Sequence, residues 1–127
     1  MIESEHFKDI ELACSCCGVN KVAQESLDRL ERLRKDFGAP LKLSSAYRCP
    51  AHNAKISKTG ETGPHTTGRA FDVVCSADAA SRVLRIAIFH GFTGLGVSQK
   101  GDHASRFIHV DDILGSPIHA RPRVWSY

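Results

Sequence analysis

The stretch GPHTTGRAFDVV, residues 63–74, sets a histidine seven positions before an aspartate and plants that aspartate inside an apolar run. RAFDVV (69–74) reads as a strand, bounded upstream by a glycine turn. Side chains alternate along a strand, so Ala70, Asp72 and Val74 share one face while Arg69, Phe71 and Val73 share the other. Either face is apolar around its charge. An ionised carboxylate in such a place is costly unless it is paired, hydrogen-bonded or bound to a metal. His65 lies just before Gly68, a turn residue able to fold the loop back and bring the imidazole beside Asp72. Further along, RFIHVDD (106–112) has the alternation of another strand and aligns Phe107, His109 and Asp111 on one face. Two histidines and a carboxylate make three protein ligands for zinc and leave a fourth position for water or substrate, the pattern of a catalytic site. Spacing alone leaves a plainer alternative open, in which Asp72 pairs with Arg48 or Arg69 and the histidines are ordinary surface or core residues.

Working outward, Leu27, Leu30, Leu33 and Phe37 recur at three- and four-residue spacing, and Gly38 with Ala39-Pro40 stops the run, which predicts an amphipathic helix over 22–37. LKLSSAY (41–47) alternates as a half-buried strand does. Residues 57–68 are rich in Gly, Pro, Ser and Thr and form a loop of the length that borders sites in small domains. After the 69–74 strand, Ser76 is a candidate N-cap for a second helix with Ala80, Val83, Leu84, Ala87 and Ile88 on one face and Gly91 at its end. Strands follow at 94–98 (GLGVS) and 106–112, and the tail to Tyr127, with two prolines, reads as irregular. The expected class is α+β, a small antiparallel sheet with flanking helices.

At 127 residues and 42% hydrophobic content, the chain suits one compact core, expected as a single domain over 1–127. A net charge of +3 with dispersed basic residues does not make the stripe that nucleic acid binding requires. No apolar run approaches bilayer length and MIESEHFKDIEL lacks a signal-peptide core, so the expectation is synthesis in the cytoplasm without export signal or membrane insertion. Five cysteines in such a chain favour metal over disulfides. Cys14-x2-Cys17 and Cys49-x2-His52 are each spaced like half of a structural zinc site, with Cys16 able to replace either sulfur of the first pair; the alternative is ordinary thiols. Cys75, after an apolar strand, reads as buried.

Three segments carry a family resemblance: SSAYRCPAHN (44–53), HTTGRAFDV (65–73), and GLGVS with FIHVD (94–98 and 107–111). Together, in this order, they resemble the zinc D-alanyl-D-alanine carboxypeptidase and phage endolysin peptidase family, the M15-type metallopeptidases, in its small phage-type branch. HFKDIELACSCCG (6–18) is similar to the opening of phage and prophage members. The resemblance implies a fold shared with the hedgehog signalling domain. It implies hydrolysis of amide bonds in peptidoglycan stem peptides, by a carboxypeptidase or an endopeptidase, at the bacterial wall after release or as part of a virion; the chain is expected as a monomer. It makes His65, Asp72 and His109 the zinc ligands and Arg48 a substrate-binding residue, whose guanidinium fork suits a carboxylate or polarised carbonyl; pairing with an acid is the alternative for Arg48.

Two departures from the family pattern stand out. Arg106 occupies the place, three residues before the last zinc histidine, where many relatives have an acid. The general base is therefore expected elsewhere, with His103 preferred to Asp111, which has the alternative of orienting a ligand. Gly63 replaces a serine common two residues before the first zinc histidine. The missing acid keeps open a catalytically inactive zinc-binding interaction module of the hedgehog kind, and a virion structural component is a further alternative.

Overall fold

The leucine stripe at Leu27, Leu30 and Leu33 and the glycine after it decide the first long helix. The chain is described by a computed structural model over residues 2–127. Its elements are α1 (Asp9–Leu12), α2 (Gln24–Phe37), β1 (Lys42–Ser45), α3 (Pro50–Ile56), β2 (Ala70–Val74), α4 (Ala77–Phe89), β3 (Gly94–Ser98), β4 (Phe107–Asp111) and β5 (Arg123–Ser126), with 3₁₀ turns at Gly60–Thr62, Pro64–Thr67 and His103–Ser105. α2 ends where Gly38 takes up a left-handed conformation and donates its N–H to the Arg34 carbonyl. α4 buries Ala80, Val83 and Ala87, while Ile88 is exposed, so its core stripe is narrower than the sequence reading drew it. Ser76 sits at the N-cap position of α4 without capping it; its hydroxyl pairs instead with Nδ1 of His103 at 3.1 Å.

The strands form one sheet in the order β1-β2-β4-β3-β5. β2 pairs antiparallel with β4 in a register that sets Asp72 directly opposite His109 and Ala70 opposite Asp111. β3 pairs antiparallel with the other side of β4, opposing Gly96 to His109 and Gly94 to Asp111. Period-two alternation then sorts the two faces. Phe71, Val73, Ile108 and Val110 join the leucines of α2 and Val83 and Ala87 of α4 in the hydrophobic core. Asp72, His109 and Asp111 are left on the opposite face.

The class is α+β as expected, but the sheet is mixed. Residues 123–126, read as part of an irregular tail, form β5 parallel to β3, with the Arg123 N–H donating to Thr93 O (2.9 Å) and the Tyr127 N–H to Val97 O (3.2 Å). An edge strand with exposed Arg123 and Val124 carries no alternation for a sequence reading to detect. A buried acid ties the layers together. Asp112 accepts from the Ser26 hydroxyl of α2 (2.6 Å), from Arg29 Nε (3.2 Å) and from Arg69 Nε (3.0 Å), which satisfies a carboxylate the core would otherwise penalise. No helix among the described residues is long and apolar enough to cross a membrane.

Candidate active site

Strand pairing brings Asp72 and His109 together, and a backbone turn brings the third partner. Gly68 is left-handed (φ +76°), and its α-carbon lies so close to the Lys21 carbonyl that a side chain there would collide with it. The loop ahead of it therefore folds back over β2. His65 reaches Asp72, Nε2 to Oδ1, at 3.2 Å, and His109 Nδ1 stands 3.1 Å from the same oxygen. All three side chains are buried.

The outer edge of each imidazole fixes what the inner edge presents. His65 Nδ1 lies 2.7 Å from the Ala46 carbonyl, which can only accept, so Nδ1 carries the hydrogen and Nε2 offers a lone pair. His109 Nε2 lies 2.8 Å from Asp111 Oδ2, so Nε2 carries the hydrogen and Nδ1 offers its lone pair. Two lone pairs and a carboxylate oxygen thus converge within 4.8 Å of one another, an arrangement that requires positive charge at its centre. The carboxylate charge also shows in the titration directions. Burial alone would raise Asp72, yet the charges and hydrogen bonds of His65 and His109 hold it well below the usual carboxylate range. Burial alone would lower His109, yet Asp111 and Asp72 leave it raised. Donors bound to a tetrahedral ion by bonds of about 2.0–2.1 Å stand roughly 3.3 Å apart, close to the spacings seen, so the residues fit a zinc-sized cation.

Asp111, considered for the general base, faces away from this centre. It is fully buried and accepts two hydrogen bonds from Arg121, Nε to Oδ1 at 2.9 Å and Nη2 to Oδ2 at 2.8 Å. Burial pushes its carboxyl up, but His109 and Arg121 prevail and hold it at about 2. A carboxylate so engaged is the partner that orients His109. His103 is also outside the centre. It lies in the 3₁₀ turn before β4, bonded to Ser76, and does not line the cavity that opens over Asp72. Few residues in sequence separate His103 from His109, but the extended strand carries them apart.

That cavity has a volume of about 820 Å³. Arg48 forms part of its wall, with Nε donating to Ser45 Oγ (2.8 Å), Nη1 to Asn53 Oδ1 (3.0 Å) and Nη2 approaching Asp72 Oδ2 at 3.4 Å. Arg48 thus makes the pairing with Asp72 that the sequence left open as its alternative, and it also lines the cavity. Arg69 pairs with Asp112 and Glu25 instead. Gly63 leaves no room for the relatives' serine, because a β-carbon there would run into Thr59 and Asn53.

The cavity residues that the sequence reading missed include His119, Arg121, Trp125 and Tyr127. His119 and Arg121 belong to the connection after β4, Trp125 to β5, and Tyr127 follows it. Trp125 lies over Gly96, with its ring centroid 4.9 Å from that of His109, and a β-carbon at Gly96 would meet the indole. The two glycines of GLGVS were the available signal, since glycine in a strand marks a close approach. Among the described residues, no side-chain carboxylate but that of Asp72 lines the cavity, whereas Lys58, Arg48, Arg121 and Arg123 all do.

A second donor group lies on the N-terminal side. Cys14, Cys16, Cys17 and Cys49 have their sulfurs within 4.8 Å of one another. The expected fourth member, His52, is not in this group. Its Nε2 is paired with Ser15 Oγ at 3.3 Å, and Cys16 takes its place. Burial pushes the Cys14 thiol up, but the Cys49 and Cys16 N–H groups and neighbouring thiols bring it down to about 6. Cys75 is buried as expected, and burial raises its thiol to about 11.

The family model described as Peptidase M15 matches residues 5–111, which include His65, Asp72 and His109. No curated protein matches the chain. The match covers most of the sequence, and the chain belongs to the peptidase M15 family.

Proposed function

We propose that this member of the peptidase M15 family is a zinc peptidase that hydrolyses amide bonds in peptidoglycan stem peptides, with His65, Asp72 and His109 holding the metal. The carrying observation is the convergence of three buried donor atoms, two of them imidazole nitrogens whose opposite edges are hydrogen-bonded to Ala46 O and Asp111. When bound, zinc supplies a water acidified toward neutrality and a Lewis acid for the scissile carbonyl.

The rest of the chemistry belongs to the chain. Asp111 holds His109 in the tautomer that ligates, and Arg121 keeps Asp111 ionised. Arg48, anchored by Ser45 and Asn53 and approached by Asp72, lines the cavity and suits an oxyanion or a substrate carboxylate. A wall carrying four cationic side chains favours an acidic peptide, and stem peptides bear carboxylates. About 820 Å³ is ample for a few residues of such a peptide.

Proton transfer falls to His119. Its Nε2 lies 2.7 Å from the Thr62 carbonyl and donates to it, so Nδ1 is the free acceptor, and the ring belongs to the same cavity wall as the metal donors. Among the described residues, it is the cavity's one histidine outside the donor set. The lack, among the described residues, of a cavity side-chain carboxylate besides Asp72 favours the second reading, an inactive zinc-binding module.

Zymography on peptidoglycan with metal-free and zinc-reconstituted protein separates the two. The peptidase reading predicts clearing that depends on zinc. His119→Ala should lower kcat by roughly 100-fold or more with zinc still bound. Zinc-loaded protein that never clears the gel would support the inactive module.

A further inference from the structure

The cysteine-rich turn is built more tightly than its exposure suggests. The Cys14 N–H donates to Val19 O and the Gly18 N–H to Cys14 O, both at 2.8 Å, with Gly18 left-handed at φ +73°. This closes a C-x2-C-G turn in which Cys14 and Cys17 approach each other. Cys49 comes from a distant part of the chain, at the N-cap of α3. Its N–H points at Cys14 Sγ (3.3 Å), and the His52 N–H points at Cys49 Sγ (3.4 Å). Cys16 Sγ lies 3.5 Å from both Cys14 Sγ and Cys49 Sγ. None of the five cysteines is in a disulfide.

Four sulfurs around a tetrahedral ion, at metal–sulfur bonds of about 2.3 Å, stand about 3.8 Å apart, which is the spacing these thiols approach. Thiolates select zinc over hard cations such as magnesium and calcium. Backbone N–H groups aimed at sulfur stabilise the ionised form that a metal needs.

We infer that Cys14, Cys16, Cys17 and Cys49 bind a zinc ion in a closed four-thiolate structural site that clips the 13–19 turn to α3. Four protein ligands leave no open position, so this ion takes no part in hydrolysis. Its effect reaches the cavity through the chain. Cys49 directly follows Arg48, and the Tyr47 N–H donates to Leu12 O (3.1 Å), so the clip holds the segment that carries Arg48. The site stands independently of the histidine centre and of the activity proposed for it.

Cobalt substitution in the full chain tests this directly, because thiolate ligation gives an intense sulfur-to-cobalt charge-transfer band that histidine and carboxylate ligands do not. Wild-type protein should bind two cobalt ions and show the band, and zinc-grown protein should contain two zinc ions. The pair Cys16→Ser/Cys17→Ser changes only exposed side chains; it should lose the band and one ion, and it should melt at lower temperature. His52→Ala should keep the band. His65→Ala/His109→Ala should keep the band with a single ion, so failure of the peptidase reading leaves this outcome untouched. The inference is overturned by a wild-type chain without the band, by iron in place of zinc at the thiols, or by a disulfide among the four in the intact mass. It is overturned equally if His52→Ala abolishes the band while Cys16→Ser preserves it.

Discussion

The histidine centre and the cysteine turn are both groups of converging donors, but they are held in opposite ways. His65, Asp72 and His109 are 5%, 5% and 1% exposed and sit on or against strands whose pairing is fixed by the core on the other face. Each histidine is aimed from behind by a hydrogen bond. Cys16 and Cys17 are exposed on a turn, and their orientation rests on backbone bonds and neighbouring sulfurs. The first centre is preformed by the fold, so loss of the metal proposed there would cost chemistry before structure. The second joins an exposed turn to a distant helix, so loss of the zinc inferred there would cost structure. Mild chelation should therefore silence activity before it lowers the melting temperature.

The largest expected effect follows from breaking the preformed centre. His65→Ala, Asp72→Ala and His109→Ala should each reduce hydrolysis below detection and empty the catalytic site, while circular dichroism stays that of the wild type. A variant retaining full activity and full metal content would remove that residue from the donor set.

Next comes the support behind His109. Arg121→Ala leaves the Asp111 carboxylate buried and without its guanidinium partner, a loss of about 3–5 kcal/mol by the usual cost of orphaning a buried ion. Denaturant titration of the metal-loaded protein measures it. Asp111→Asn keeps the shape but weakens the hold on the His109 tautomer, and should lower metal affinity roughly 10- to 100-fold in a chelator competition. An unchanged affinity would mean that His109 is oriented by packing against Trp125 alone.

The smallest effect is expected at His103. With its ring bonded to Ser76 and away from the cavity, His103→Ala should leave kcat within about twofold of wild type, as surface substitutions do. A large drop in kcat with metal retained would restore His103 to the reaction and displace His119.

These contrasts also mark what a sequence can and cannot carry. Asp72 and His109 were legible because a charged residue in an apolar alternating run breaks a local rule, and each lies in such a run. The boundaries of α2 were legible to within two residues from its leucine spacing and Gly38. Asp111 was placed correctly on the face of His109, but its task depends on Arg121, whose approach follows from a connection after β4 that has no periodic pattern. The same connection delivers His119 to Thr62, a pairing across more than fifty residues that no local signal encodes. For the cysteines, spacing identified the two halves, yet it could not tell whether Cys16 or His52 turned inward. That depends on how α3 meets the turn, where His52 is drawn to Ser15.

The central claim is that the histidine centre cuts an amide bond of the stem peptide. Mass spectrometry of purified muropeptides, incubated with zinc-loaded wild-type protein and with His109→Ala, reads this bond by bond. The account predicts new free amino and carboxyl termini within the stem peptide, or release of a terminal residue from it, in the wild-type digest and in neither the variant nor the metal-free control. Muropeptides left intact by a protein that demonstrably holds zinc at His65, Asp72 and His109 would contradict it.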